Sequence, residues 1–170
     1  MTAQPAAPLP VLTLQSERPQ DGPLVDALIE RAFGPGRYAK VSERVREFAT
    51  FAAEMSVCAW SGQRLLGCAR MWHVRVGGRR VMFLGPFAVE LGERNAGFGA
   101  RMINRACEDA AAAGETHVVL VGDEPYFSRV GFAAAAGRAV IMPGPVDQRR
   151  VLVRALTADA GELAGPIQPA

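Results

Sequence analysis

What this chain lacks narrows its class. No apolar run approaches the roughly 18 residues that a membrane-crossing helix needs. Cysteine is scarce, with Cys58, Cys68 and Cys107 odd in number and free of C-x-x-C or cysteine–histidine ligand spacing. That pattern speaks against a disulfide framework and against a zinc site, so reduced, buried thiols and no metal are expected. Lys40 is the single lysine among 19 basic residues. The arginines are dispersed along the chain instead of blocked into an arm, which argues against a nucleic-acid partner. The opening "MTAQPAAPLP" has no cationic n-region and no apolar h-region, so a cytoplasmic location without a membrane partner is expected.

No repeat or linker divides the 170 residues, and a hydrophobic content of 49% can fill one core. The expected organisation is a flexible N-terminus over 1–10, a single domain over 11–158 and a loose C-terminal tail over 159–170 that includes "AGPIQPA". Within the domain, "VLTL" reads as a strand. Asp21 with Pro23 reads as the cap and first turn of a helix whose stripe is Leu24, Ala27, Leu28 and Ala32. "GPGR" breaks it, and a second helix is expected through "YAKVSERVREFATFAAE", with Val41, Val45, Phe48 and Ala52 on one face.

Three strands follow: "MSVCAW", "LLGCARMWHVRV" and "RRVMFLGPFAV". The Gly77–Gly78 pair between the last two is a two-residue hairpin signal. "FGARMINRACEDAAAAG" then puts Met102, Ile103, Ala106 and Ala110 on one helical face and Arg101, Arg105 and Asp109 on the other. Gly114 ends it. "HVVLVG" has the continuous β-branched character of a strand buried on both faces, and strand, helix, strand in that order imply a crossover to a parallel neighbour. "YFSRVGF", "RAVIM" and "RRVLVRAL" supply a short helical turn and two closing strands.

The segment "ERNAGFGARMI", at the start of the third helix, carries chemistry. A helix N-terminus offers unpaired N–H groups and partial positive charge. Gly97 and Gly99 would let a phosphate approach those groups closely, and Arg94 could add a charge-assisted contact. On the glycines alone, a tight turn required by packing is the favoured account. A P-loop is excluded because no Gly-Lys-Ser/Thr follows Gly99. The dinucleotide fingerprint is excluded because Met102 replaces its last glycine and three antiparallel strands come first. In "LGPFAV", Pro86 cannot donate to a ladder and Gly85 weakens the strand, so either a bulge that frees backbone groups for a ligand or an edge strand is expected here.

Taken in order, "LGPFAV", "RNAGFGA" and "YFSRVGF" resemble the strand, the Q/R-x-x-G-x-G/A pyrophosphate motif and the Y-x-x-x-G-F element of the GNAT superfamily of acyl-CoA-dependent N-acetyltransferases. "AFGPGR" and "VGDEPYFSRVGF" are similar to a bacterial branch of predicted N-acetyltransferases. The resemblance covers roughly Val11 to Leu156. It implies an α/β (α+β) GNAT fold: a central mixed, mostly antiparallel sheet of about seven strands, splayed in the middle, with helices on both faces.

The cofactor it implies is acetyl-CoA, with CoA as product, in the cleft between the "LGPFAV" and "HVVLVG" strands. Pantetheine would pair with the backbone of Phe87, Ala88 and Val89. The pyrophosphate would rest on Asn95, Ala96, Gly97, Phe98, Gly99 and Ala100 beside Arg94, and Phe127 would border the site. The Ala88 N–H is the candidate oxyanion donor. A small-molecule or peptide amine is the implied acceptor, and a homodimer is common among similar proteins.

Two positions depart from that pattern. Phe127 stands where the family often has a tyrosine acid, and the adjacent Tyr126, rotated by about 100° on a helical turn, is the candidate general acid. Phe83 stands where some members carry a glutamate base. Glu90, Asp123, Glu124, His73 and His117 carry no specific base signal, so water is the default relay. Two functions follow as expectations. One is an N-acetyltransferase acting by direct amine attack in a ternary complex. The other is a catalytically weak acyl-CoA-binding module serving as sensor or assembly partner.

Overall fold

The structure, a computed structural model, describes residues 11–135 and 139–170; the expected flexible N-terminus lies outside them, as does Arg138 of "RAVIM". The chain runs β1 (Leu12–Ser16), α1 (Gly22–Phe33), α2 (Val41–Phe48), β2 (Thr50–Phe51), β3 (Val57–Ser61), β4 (Arg64–Val76) and β5 (Arg79–Val89). It continues through α3 (Phe98–Ala112), β6 (His117–Val121), α4 (Glu124–Phe127), β7 (Ala133–Ala134), β8 (Val140–Ile141), β9 (Val151–Ala155) and β10 (Gly165–Pro169). The strands form one mixed sheet in the order β1-β3-β4-β5-β6-β9-β7, with β2 and β10 also on β4 and β8 on β10. The mixed α/β class agrees with the sequence reading, and among the described residues the sheet has ten strands instead of about seven.

Helices cover both faces. On one, Met102, Ile103, Ala106 and Ala110 of α3 pack with Met71, Met82, Val118 and Leu120, as the helical spacing requires. On the other, Leu28 and Ile29 of α1 meet Cys58, Cys68 and Ala88, while Val41 and Val45 of α2 meet Val74, Phe83 and Val119. The three cysteines are free and buried. Burial pushes the Cys58 thiol up, the Cys68 thiol up to about 12 and the Cys107 thiol up to about 11.

Several local expectations need correction. The α1 stripe is Val25, Leu28 and Ile29, with Leu24 exposed. Asp21 does not cap α1 through its side chain; Arg18 holds that carboxylate from Nε and Nη2 at 3.0 and 2.8 Å. The second helix stops at Phe48, because Val45 belongs to one core and Ala52 to the opposite one, which no single helical face can serve. Thr50 and Phe51, residue types that favour extended backbone, pair instead with His73 and Trp72.

The expected loose tail contains β10. Ile167 is buried and pairs with Val76, and Gly165 pairs with Val140. Alternation is absent from "AGPIQPA", and one buried isoleucine is too little to read as a strand.

Gly77 and Gly78, at φ +55° and +82°, form the expected β4–β5 turn. A Cβ on Gly77 would lie 2.0 Å from the Ala164 carbonyl oxygen, whereas one on Gly78 would meet nothing within 4 Å. Gly78→Ala should therefore cost about 1 kcal/mol from backbone strain alone. Gly77→Ala should cost clearly more, because β10 must also back away; urea unfolding of both variants measures the difference.

Candidate functional site

β5 decides the geometry of the site. Its parallel pairing with β6 consists of Met82 with Val118 and Phe83 with Val119, and ends there. On its other edge, Leu84 pairs with Met71 and Phe87 with Ala69, so Gly85 and Pro86 together stand opposite Arg70. This is the expected bulge, not an edge strand. Gly85, at φ +152°, adopts backbone open essentially to glycine, and Trp72 Nε1 donates to its carbonyl at 2.5 Å. Beyond the bulge β5 stays on β4 while β6 pairs with β9, and a cleft of about 620 Å³ opens between them.

Polar backbone faces this cleft. Glu90 N–H donates to Leu66 O at 2.8 Å. In an antiparallel ladder successive N–H groups alternate in direction, so the Ala88 N–H points to β4 and those of Phe87 and Val89 point to the open edge. Of the three residues expected to offer backbone, Ala88 is thus turned away from the cleft by strand alternation.

α3 begins at the cleft mouth. Its N-cap, Gly97, is in the left-handed region at φ +77°, and no side chain caps the helix, so the N–H groups of the first turn, Gly97 to Ala100, are open to a ligand. The Ala96 N–H is not: it donates to Glu93 O at 3.1 Å. Asn95 and Ala96 are exposed, whereas the Phe98 side chain is packed in the core. Arg94 lines the cleft.

The two glycines play different parts. Gly97 has open space around it, but a Cβ on Gly99 would lie 2.8 Å from Tyr126 Oη and 3.1 Å from Phe87 Cζ. The packing account of the sequence thus holds for Gly99 and not for Gly97.

Tyr126 and Phe127 both line the cleft and form an aromatic group with Phe87, with centroids 5.0 to 6.1 Å apart. Burial raises the pKa of the Tyr126 phenol, Arg129 opposing, so the hydroxyl is a neutral donor at ordinary pH. Of the weak base candidates, Asp123 lines the cleft but pairs with Arg150 at 3.3 Å. Glu90 is paired with Arg31. His117 Nε2 lies 2.8 Å from Gly161 O, and His73 lies between Glu54 and Glu115 at 3.5 and 3.8 Å. Phe83 is fully buried. Sequence reading passed over Lys40, Arg46 and Arg150, which line the cleft with Arg37; only the Glu43–Arg46 spacing on α2 hinted at an ordered arginine.

The Acetyltransferase (GNAT) family matches residues 24–137, two thirds of the chain. The chain belongs to this family. It is 27% identical over 151 residues to the uncharacterized N-acetyltransferase YhbS of Escherichia coli K12, covering 88% of this chain and 90% of that protein. The crystal structure of Escherichia coli YhbS in complex with CoA superposes with a TM-score of 0.79 at 25% identity, covering 96% of this chain and 92% of that one. A GNAT family acetyltransferase from Brucella melitensis in complex with acetyl-CoA has the same fold, with a TM-score of 0.70 at 23% identity over 94% and 96% of the two chains.

Gly99→Ala forces Tyr126 or Phe87 to move, and in a Tyr126→Phe background its cost should fall by at least about 0.5 kcal/mol, since contacting residues couple. Additive stabilities in the double-mutant cycle would show that the hydroxyl is not what crowds Gly99.

Proposed function

We propose that this GNAT chain transfers an acetyl group from acetyl-CoA to a primary amine held in the same cleft, as one acyltransferase domain. The observation that carries the reading is the β5 edge freed beyond Phe83, ending at the uncapped start of α3. The likeness to YhbS, whose structure holds CoA, supports it. The pyrophosphate sits on the N–H groups of Gly97 to Ala100 with Arg94 beside it, and pantetheine pairs along Phe87 to Val89. The oxyanion donor is the Phe87 N–H instead of Ala88, because strand alternation turns Phe87 to the cleft.

The neutral phenol of Tyr126 gives its proton to the departing thiolate. A thiol of pKa about 8.5 leaves with modest help, so this acid is an aid and not a requirement. Water carries off the amine proton, because the protein carboxylates nearest the cleft are committed to arginines. A binding module without turnover is the competing function, suggested by Phe83 and Phe127 at the two departing positions.

Saturating acetyl-CoA or CoA at about 100 times its Kd should raise Tm by about 5–10 °C for a chain of this size. Gly97→Val should abolish that rise, since a branched side chain at positive φ blocks the cradle. Tyr126→Phe should lower kcat by about tenfold or more with the cofactor shift intact; an unchanged kcat would remove Tyr126 from the chemistry. CoA release on adding amines separates transferase from module.

A further inference from the structure

The cleft wall around Gly85 is cationic. Val89 meets the α3 terminus at Gly99, where a Cβ would lie 3.6 Å from Val89 Cγ2. Gly85, four residues back and so at most about 13 Å along the strand, abuts Arg46: a Cβ there would lie 3.7 Å from Nη1. If the pyrophosphate is at the first end, the acetyl group is near the second. Arg37 is close enough to Arg46 to act on its charge, and both line the cleft along with Lys40, Phe33 and Ser42. The carboxylates lining the cleft, Asp123 and Asp147, are on the other wall and are paired with Arg150 and Arg149.

Arg46 is placed to receive an anion. Its side chain is 11% exposed, and among the described residues its guanidinium, with five N–H donors, bonds Glu43 alone, through Nη2. Burial lowers its pKa against the pull of Glu43, and Arg37 and Arg70 lower it further, as expected of a cation short of compensating negative charge. Glu43 and Glu30, the partners of Arg46 and Arg37, do not line the cleft, so an incoming ligand meets cationic groups.

We propose that the acceptor is a primary amine carrying an oxyanion group, carboxylate or phosphate, near its nitrogen, and that Arg46, aided by Arg37 and Lys40, receives that group beside Gly85. The proposal rests on the acetyl-transfer reading. A guanidinium fork matches a carboxylate or phosphate, and its capture there leaves the amine next to the thioester. The nitrogen lone pair forms the C–N bond, the C–S pair goes to sulfur, one proton leaves nitrogen for water and one reaches the thiolate.

The test measures kcat/KM for glutamate, β-alanine, O-phosphoethanolamine, propylamine and spermidine. At least one anionic amine should exceed propylamine and spermidine by about tenfold or more, the carboxylate and phosphate arms telling which oxyanion is preferred. Arg46→Gln should lower kcat/KM for that acceptor by about 10- to 100-fold, chiefly through KM, while the acetyl-CoA thermal shift and propylamine turnover persist. Arg46→Lys should be intermediate, and Arg37→Gln repeats the test should Arg46→Gln fold poorly. Equal or better use of spermidine or propylamine would overturn the proposal. So would equal losses for every acceptor, or no turnover of anionic amines with the cofactor shift intact. Absence of that shift in the wild type would instead sink the acetyl-CoA reading, and this proposal with it.

Discussion

The single extra residue in β5, where Gly85 and Pro86 together face Arg70, is the constraint on which the site depends. Proline has no N–H to extend the ladder, and the extra residue bends the strand. β5 can then keep its partner on one edge, where Phe87 resumes pairing with Ala69, but loses β6 on the other. A straight strand at this place would zip the sheet closed and leave no cleft.

The surroundings hold that bulge from several sides. Trp72 pins the Gly85 carbonyl. Arg70, opposite the bulge, bonds buried Glu17 through two nitrogens at 3.0 and 2.7 Å, bonds Asp26 of α1 at 2.8 Å and covers the Phe51 ring at 5.4 Å. A largely buried guanidinium left without its carboxylates would be costly, so β1, α1 and β2 are tied to the level of the sheet where the splay begins. Helix α1 is therefore referenced to the strands where the cleft begins.

Much of this was legible in the residues. Gly-Gly between two strand-like runs has few other solutions, and the α3 stripe is a plain 3.6-residue period; both appear in the structure. Proline in a strand leading to a crossover helix signalled the bulge. What escaped reading depended on distant partners. Val45 and Ala52 suit one helical stripe in sequence yet serve opposite faces of the sheet. The direction of the Ala88 N–H follows from a ladder phase set at Glu90 and Leu66, which composition does not encode. Apart from its spacing to Glu43, nothing in the sequence distinguishes Arg46 from the other arginines; its place beside Gly85 is set by the fold.

The burial of Cys58, Cys68 and Cys107 bears on the chemistry from another side. Only a thiolate exchanges with disulfides, and the protein's own thiols are held almost wholly protonated at neutral pH and out of reach. The folded protein is thus a silent background for a free thiol in its cleft: it would neither form a mixed disulfide with oxidised CoA nor take the acetyl group for itself by thioester exchange.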